Sequence, residues 1–327
     1  MTISRRTFVT GLTLAPAVTL LPEAAFAAYP DRPIHLIVPF AAGGNADIVG
    51  RLVGNEMAKQ LKQTVVVENR GGAGGAIGAE FVARAKPDGY TLLVGSNGPL
   101  TINPIMHAHL GYDPLKDFVA VALTSYVPHA LILSNKNKAK TIPELIAMSK
   151  KKPVTLATSG VGSATHMTLE RFKAATGANI THVPYRGGGA MMPDLIAGNV
   201  DGAMTELSTA LQLDKSGKAH LVAVASAHRS KLAPNVQTFI EGGVKGFLAQ
   251  SYIGIVAPVK IPPALVAQLQ KAVAASLAGG PAVDRLHSLG AEIATPEQMT
   301  SKGFAEFIRI DFANMQQAAK LAGIKPK

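Results

Sequence analysis

Pro39-Phe40-Ala41-Ala42-Gly43-Gly44-Asn45-Ala46-Asp47 lies between the largely apolar run Ile34–Val38 and an amphipathic segment, Ile48–Leu61. The first run reads as a buried strand. The second reads as a helix, with Ile48, Leu52, Met57 and Leu61 along one face. The glycines and the polar residues after them therefore occupy a strand-to-helix turn. The first free N–H groups of the helix and the positive end of its dipole converge there, which suits an anion. An ordinary connecting loop would carry the same local pattern, so the rest of the chain has to decide.

Outward from this turn, strand and helix patterns alternate, which predicts an α/β fold with parallel sheets. Strands are expected at Ile34–Val38, Val65–Glu68 and Thr91–Val94, with helices at Ile48–Leu61 and Ala76–Ala85. Two apolar runs follow, Phe118–Leu123 and Ala130–Leu133. A second series has strands at Val154–Thr158, Ile180–Pro184, Val200–Met204 and Leu221–Ala225. Its helices are expected at Thr141–Lys150, Thr165–Thr176, Met191–Ala197 and Thr209–Lys215. The apolar run Ser251–Ala257 and three helical patterns, Pro262–Leu277, Val283–Leu289 and Gly303–Ala322, complete the chain. No linker separates the two series, so two α/β lobes joined by crossing strands, with a cleft between them, fit the layout.

The N-terminus reads as an export signal. Ser4-Arg5-Arg6-Thr7-Phe8-Val9 is a twin-arginine pattern, the apolar run Val9–Leu21 follows, and Ala25-Phe26-Ala27 is a small-x-small cleavage site. Residues 1–27 are thus expected to be a removed leader, leaving a soluble periplasmic protein. The chain has no cysteine, which excludes disulfides, thiolate metal sites and a lipid-bearing cysteine. Its formal net charge is +11, of which Arg5, Arg6 and Glu23 contribute +1. A basic surface concentrates anions. Basic residues form a block only at Lys150-Lys151-Lys152, and aromatic residues are 5% of the chain, so nucleic acid is not expected as a partner. A small anionic ligand suits the charge better.

Further glycine-rich turns carry candidate chemistry. Thr158-Ser159-Gly160-Val161-Gly162-Ser163-Ala164-Thr165-His166 offers hydroxyls, close backbone approach and a helix start, a combination suited to a carboxylate. It lacks the spacing of a Gly-x-Ser-x-Gly nucleophile elbow. His166 could orient a ligand or cap and pack, with packing favoured. Val183-Pro184-Tyr185-Arg186-Gly187-Gly188-Gly189 is a third strand-to-glycine turn, where Arg186 could pair with an anion or stay solvated. Ser96 and Asn97 end a strand of the first series. Glu206 could receive a ligand amine or hydroxyl, or simply sit at a helix start. Gly72-Ala73-Gly74-Gly75-Ala76-Ile77-Gly78 has a spacing like a variant dinucleotide fingerprint, but it follows the second strand, and the next strand ends Val94-Gly95-Ser96 with no acidic residue. An exported NAD(P)- or flavin-dependent oxidoreductase is accordingly the weaker rival, and no cofactor is expected. His107 and His109 are the sole close histidine pair and lack neighbouring carboxylates, so no metal site is expected either.

Taken together, these residues resemble the periplasmic substrate-binding proteins of tripartite tricarboxylate transporters, the Bug or TctC family. The likeness runs through Tyr29-Pro30-Asp31-Arg32-Pro33-Ile34, Val38 to Gly44 with Asp47, Val66 to Arg70 with Gly72 to Gly75, and Pro87 to Leu93. It continues through Asn103-Pro104, Tyr112-Asp113-Pro114, Ser159 to Ser163 with His166, His182 to Gly187, Asp194-Leu195, Ala257-Pro258 and Ala322-Gly323-Ile324. The resemblance implies a two-lobed type II periplasmic-binding-protein fold, with lobe 1 formed by residues 28–127 and 252–327 and lobe 2 by residues 128–251. It implies a monomer that is not an enzyme, captures a small di-, tri- or aromatic carboxylate and delivers it to a membrane transporter; a ligand-sensing partner of a two-component kinase would share that binding chemistry. Carried over residue by residue, Phe40, Ala41, Ala42, Gly43 and Asp47 lie on one side of the ligand, and Ser159, Gly160, Gly162 and Ser163 on the other. The far end of the ligand is expected near Ser96, Asn97, Tyr185, Arg186 and Glu206. Four positions depart from the family pattern: Gly71 and Gln237 replace common prolines, Tyr252 a frequent tryptophan and Glu206 a frequent aspartate. The first two are expected to affect loop stiffness, the last two the identity of the ligand.

Overall fold

The computed structural model describes residues 29–324; the leader expected at residues 1–27 lies outside them. Strand β1 (Ile34–Val38) is almost wholly buried, as the centre of a parallel sheet covered on both faces requires. It pairs in parallel with β2 (Val65–Asn69) on one side and β3 (Thr91–Ser96) on the other. Helix α1 (Asn45–Leu61) and helix α2 (Ala76–Ala83) connect them. A π-helical turn at Gly98–Ile102 and a short α3 (Asn103–Met106) then lead to β4 (Phe118–Ser134), a strand of 17 residues.

Beyond β4 come α4 (Ile142–Lys151), β5 (Val154–Thr158), α5 (Ala164–Thr176), β6 (Ile180–Pro184), α6 (Gly188–Ala197), β7 (Gly202–Glu206), α7 (Leu207–Lys215) and β8 (Ala219–Val224). A two-residue β9 (Gln237–Thr238) precedes β10 (Gln250–Pro258), and α8 (Pro263–Ser276), α9 (Pro281–Ser288), a short β11 (Glu292–Ile293) and α10 (Ser301–Leu321) close the chain. The strand order is β2-β1-β3-β10-β4-β7-β5-β6, with β8 also on β4.

Strand β4 makes two lobes out of this order. Its first part, to Pro128, pairs antiparallel with β10 in the first lobe. Its last part, from His129, pairs with β7 and β8 in the second. The two apolar runs Phe118–Leu123 and Ala130–Leu133 are thus one strand rather than two elements. The polar interruption between them is satisfied in place: Thr124 donates to the Ile253 carbonyl at 2.7 Å, and both ring nitrogens of His129 are bonded. Pro128, which has no N–H to give to a ladder, stands where the strand changes sheets.

Each lobe has its own core. In the first, Leu36, Val53, Met57, Leu92, Leu269 and Val273 pack β1 and β3 against α1 and α8. In the second, β4 residues alternate between two clusters on opposite faces of the sheet. Leu131 and Leu133 join Leu156 and Phe172, whereas Ala130 and Ile132 join Leu195 and Leu211. That is the period-two pattern of a strand buried on both sides. Among the described residues no helix is long and apolar enough to cross a membrane.

Candidate ligand-binding cleft

The turn between β1 and α1 is organised by Asp47. Its carboxylate accepts the Gly43 N–H at 2.9 Å and the Asn69 side-chain amide at 2.9 Å, and it pairs with Arg51 one helical turn on at 2.9 Å. The same Asn69 amide donates to the Phe40 carbonyl at 3.0 Å. Asp47 is buried, and burial alone would push its pKa up. The Arg51, Gly43 and Asn69 bonds outweigh that and hold the carboxyl below its ordinary value. Helix α1 therefore begins at Asn45, three residues ahead of the expected Ile48, because a first-turn carboxylate occupies its positive end.

The turn between β5 and α5 is held by hydroxyls instead. Ser163 is the N-cap of α5 and accepts the His166 N–H at 3.1 Å. Thr165 accepts the Ser159 N–H at 3.0 Å. The first turn of α5 contains no acidic residue. Gly160 and Gly162 have φ of 114° and 82°, conformations that glycine adopts without strain. His166 accepts the Gly162 N–H at 3.3 Å through Nδ1, and its ring stacks on His182 with centroids 4.1 Å apart.

The two lobes meet through a main-chain bond and a side-chain bond. The Ala41 N–H donates to the Arg186 carbonyl at 2.9 Å, and Ser208 donates to the Asn45 side-chain oxygen at 2.9 Å. Around these bonds the contacts are glycine against backbone. A Cβ on Gly189 would collide with the Ala42 carbonyl, and one on Gly74 with the Val161 carbonyl. A Cβ on Gly187 would lie 2.6 Å from the Ala41 nitrogen, and one on Gly71 2.7 Å from the Arg186 carbonyl. Gly71 is thus part of the seam, a larger role than the loop stiffness expected of it. The glycine run from Gly72 likewise serves interlobe packing through Gly74.

Behind the seam lies a small cavity of about 20 Å³, lined from both lobes. Of the residues singled out in the sequence, Phe40, Ser96, Ser159, Ser163 and Glu206 line it. Asn45, Ser251 and Gly188 line it as well, without having been singled out. Ala41, Ala42, Gly43, Gly160 and Gly162 shape the surrounding turns through their backbones, and Asp47 stands behind the first of them. Tyr185 and Arg186 do not line it. The Tyr185 hydroxyl donates to Asp194 at 2.6 Å, and burial followed by that bond pushes its pKa up to about 12. Arg186 contributes its carbonyl to the seam, and the residue is exposed.

Glu206 ends β7 at the wall of this cavity. It accepts from Ser251 at 3.3 Å and from Thr205 at 3.3 Å. Behind Ser251 the chain of bonds goes on: Ser251 Oγ lies 2.8 Å from His129 Nε2, and His129 Nδ1 lies 2.7 Å from Thr168 Oγ1. Burial, with Arg171 adding to it, lowers the His129 pKa to about 3, so its ring is neutral. Burial raises the Glu206 pKa, against the opposing hydrogen bonds.

Asn97 belongs to a second, larger cavity of about 410 Å³ beside the crossing strands. Gln250 and Tyr252 line this space, whereas Ser251 and Ile253 line the smaller one, so alternate residues of β10 face different cavities. Asn97 accepts the Tyr252 N–H at 3.0 Å and donates to Asp311 at 3.3 Å. Among the described residues no cluster of histidine and carboxylate side chains could hold a metal ion.

Comparison with known proteins places this geometry. The model of the tripartite tricarboxylate transporter family receptor matches residues 49–319. The chain is 35% identical to BugT of Bordetella pertussis over 309 residues, covering 93% of this chain and 94% of that one. It is similar in structure to Rpa4515 of R. palustris with adipate, at TM-score 0.87 and 31% identity, covering 91% of this chain and 100% of that one. It is also similar to MatC of Rhodopseudomonas palustris with bound malate, at TM-score 0.85 and 32% identity, covering 89% and 99%.

Proposed function

Because this chain belongs to the tripartite tricarboxylate transporter receptor family, we propose that it is a non-enzymatic, monomeric solute-binding protein of the periplasm, exported by its twin-arginine leader. It captures a small carboxylate in the interlobe cleft and delivers it to the membrane subunits of a tripartite transporter. The observation that carries this reading is the pair of helix-start turns, one from each lobe, flanking a cavity lined by the hydroxyl-bearing residues Ser96, Ser159, Ser163 and Ser251. Serine hydroxyls and the free end of α5 can donate to a carboxylate together. Phe40, Ala41, Ala42 and Gly43 form the first jaw, shaped by Asp47; Ser159, Gly160, Gly162 and Ser163 form the second. Ser96 and Glu206 meet the rest of the ligand, and Asn97, Tyr185 and Arg186 bound its surroundings. The relatives bound to adipate and malate support a carboxylate as the ligand class. A cavity of about 20 Å³ is too small for such a ligand, so the jaws part to admit it and close over it, and the transporter reads the liganded state.

Thermal unfolding against mono-, di-, tri- and aromatic carboxylates, with NAD(P) and flavins included, tests this. A ligand at a hundred times its dissociation constant adds about 2.7 kcal/mol, roughly 4–5 °C for a chain of this size. A shift with one carboxylate class is the expected result. A shift with a nucleotide cofactor alone would overturn it.

A further inference from the structure

Among the described residues, the cavity proposed to receive an anion is lined by no lysine or arginine, and the one ionisable side chain there is an acid, Glu206. Positive charge on the neighbouring elements is directed elsewhere. Arg51 on α1 is paired with Asp47, Lys173 on α5 with Glu170, and Arg171 on α5 donates to the Leu248 carbonyl. His166 on α5 is bonded to Gly162 and faces Glu170 at 3.8 Å, and Arg186 ahead of α6 is exposed. His129, opposite Glu206 in the β4–β7 register, is neutral. An ionised Glu206 would therefore face a bound carboxylate with no cation between them, a costly arrangement in an enclosed site.

Resting on the reading above, we propose that Glu206 is the specificity-determining residue of the cleft: it binds as a neutral carboxylic acid that donates its O–H to the ligand, so capture of a carboxylate takes up one proton. The bonds behind it fit both forms. When Glu206 is ionised, the Thr168 hydroxyl donates to His129 Nδ1, His129 Nε2–H to Ser251, and Ser251 to Glu206 Oε1. When Glu206 is protonated with its O–H on the ligand, Glu206 Oε1 still accepts from Ser251, so the chain is kept without rearrangement. No proton crosses the chain; it comes from solvent as the ligand enters. A donor at this position favours a ligand whose group there is an acceptor, such as a second carboxylate, and disfavours an ammonium.

Titration calorimetry on the purified protein tests this, with adipate, malate and 6-aminohexanoate as probes in phosphate and Tris buffers of different ionisation heat. For the dicarboxylate that binds, the two buffers should report uptake of about one proton at alkaline pH, and affinity should fall about tenfold per pH unit above the value of free Glu206. Glu206→Gln keeps an N–H donor, so it should still bind that dicarboxylate, with no proton uptake and a flat pH profile. Binding by the unaltered protein without proton uptake would overturn the proposal and leave the carboxylate-binding reading intact. So would tighter binding of 6-aminohexanoate than of adipate. Failure of every carboxylate to bind at any pH would remove both.

Discussion

The two glycine-rich turns that face each other across the cleft resemble one another in sequence and differ in what occupies their helix ends. The β1–α1 turn is closed on itself: a buried carboxylate stands in the first turn of the helix, accepts the Gly43 N–H ahead of it and is in turn paired with Arg51. The β5–α5 turn is capped by a neutral hydroxyl and carries no acid in its first turn. The dipole of α1 is thus answered from within, and that of α5 stays available to an anion from outside. Under the proposed function, similar glycine patterns serve different tasks, one as a self-contained jaw and one as the receiving surface.

The largest expected effect that would break this contrast is on stability. Asp47→Ala leaves Gly43, Asn69 and Arg51 without their shared partner and should cost about 3 kcal/mol in urea unfolding, with Asp47→Asn recovering part of it. An unchanged midpoint would mean that the first turn is not self-contained. Next comes the jaw's docking. Gly189 has an ordinary helical backbone, so Gly189→Ala adds no local strain but sets a methyl group against the Ala42 carbonyl. Affinity should fall roughly a hundredfold, about 2.7 kcal/mol, and ligand-dependent compaction in X-ray scattering should vanish while unfolding is unaffected. Retained compaction would show that the lobes close by another route.

Ser163→Ala probes the receiving turn. Loss of the cap should cost about 1 kcal/mol of stability, and carboxylate affinity should drop by about tenfold more than the corresponding loss at a cap remote from the cleft. Thr141, which accepts the Glu144 N–H at 3.3 Å at the start of α4, supplies that comparison: Thr141→Ala should cost about 1 kcal/mol or less with affinity unchanged. The pH dependence sharpens the contrast from the other side. Asp47 titrates below its ordinary value of 3.8, so its contribution is full above that value and is lost as pH falls through its folded value. The stability of the unaltered protein should decline in that acid range, and Asp47→Asn should flatten the decline; a variant with the same acid slope would assign it to other carboxylates.

Much of the fold is legible in the sequence where one local pattern suffices. Strands β1 and β5 lie where apolar runs end in turn residues, because each is filled by a nearly continuous buried stretch, whereas β6 keeps its expected bounds with only Ile180 buried. Strand β4 is not legible as one element, since Thr124, Ser125 and Pro128 break its apolar pattern and find their partners only in the folded chain. The same limit applies to the cavity. Glycine turns and hydroxyls announce Ser159 and Ser163, and the end of a strand announces Glu206, but Ser251 is one polar residue at the head of an apolar run. Asn45 gains its meaning only when Ser208, 163 positions away, bonds to it. Tyr185 and Arg186 look ligand-facing from their glycine context, yet Asp194 draws the tyrosine hydroxyl aside.

Strand β4 also constrains how the molecule can move. One uninterrupted strand is hydrogen-bonded into both sheets, to β10 on one side of Pro128 and to β7 and β8 on the other. Sliding one lobe along the other would shear these ladders, whereas twisting about the point where the strand changes sheets keeps every rung. Mechanically, that makes the strand a torsion bar between two plates, with Pro128 at the point where its pairing passes from one to the other.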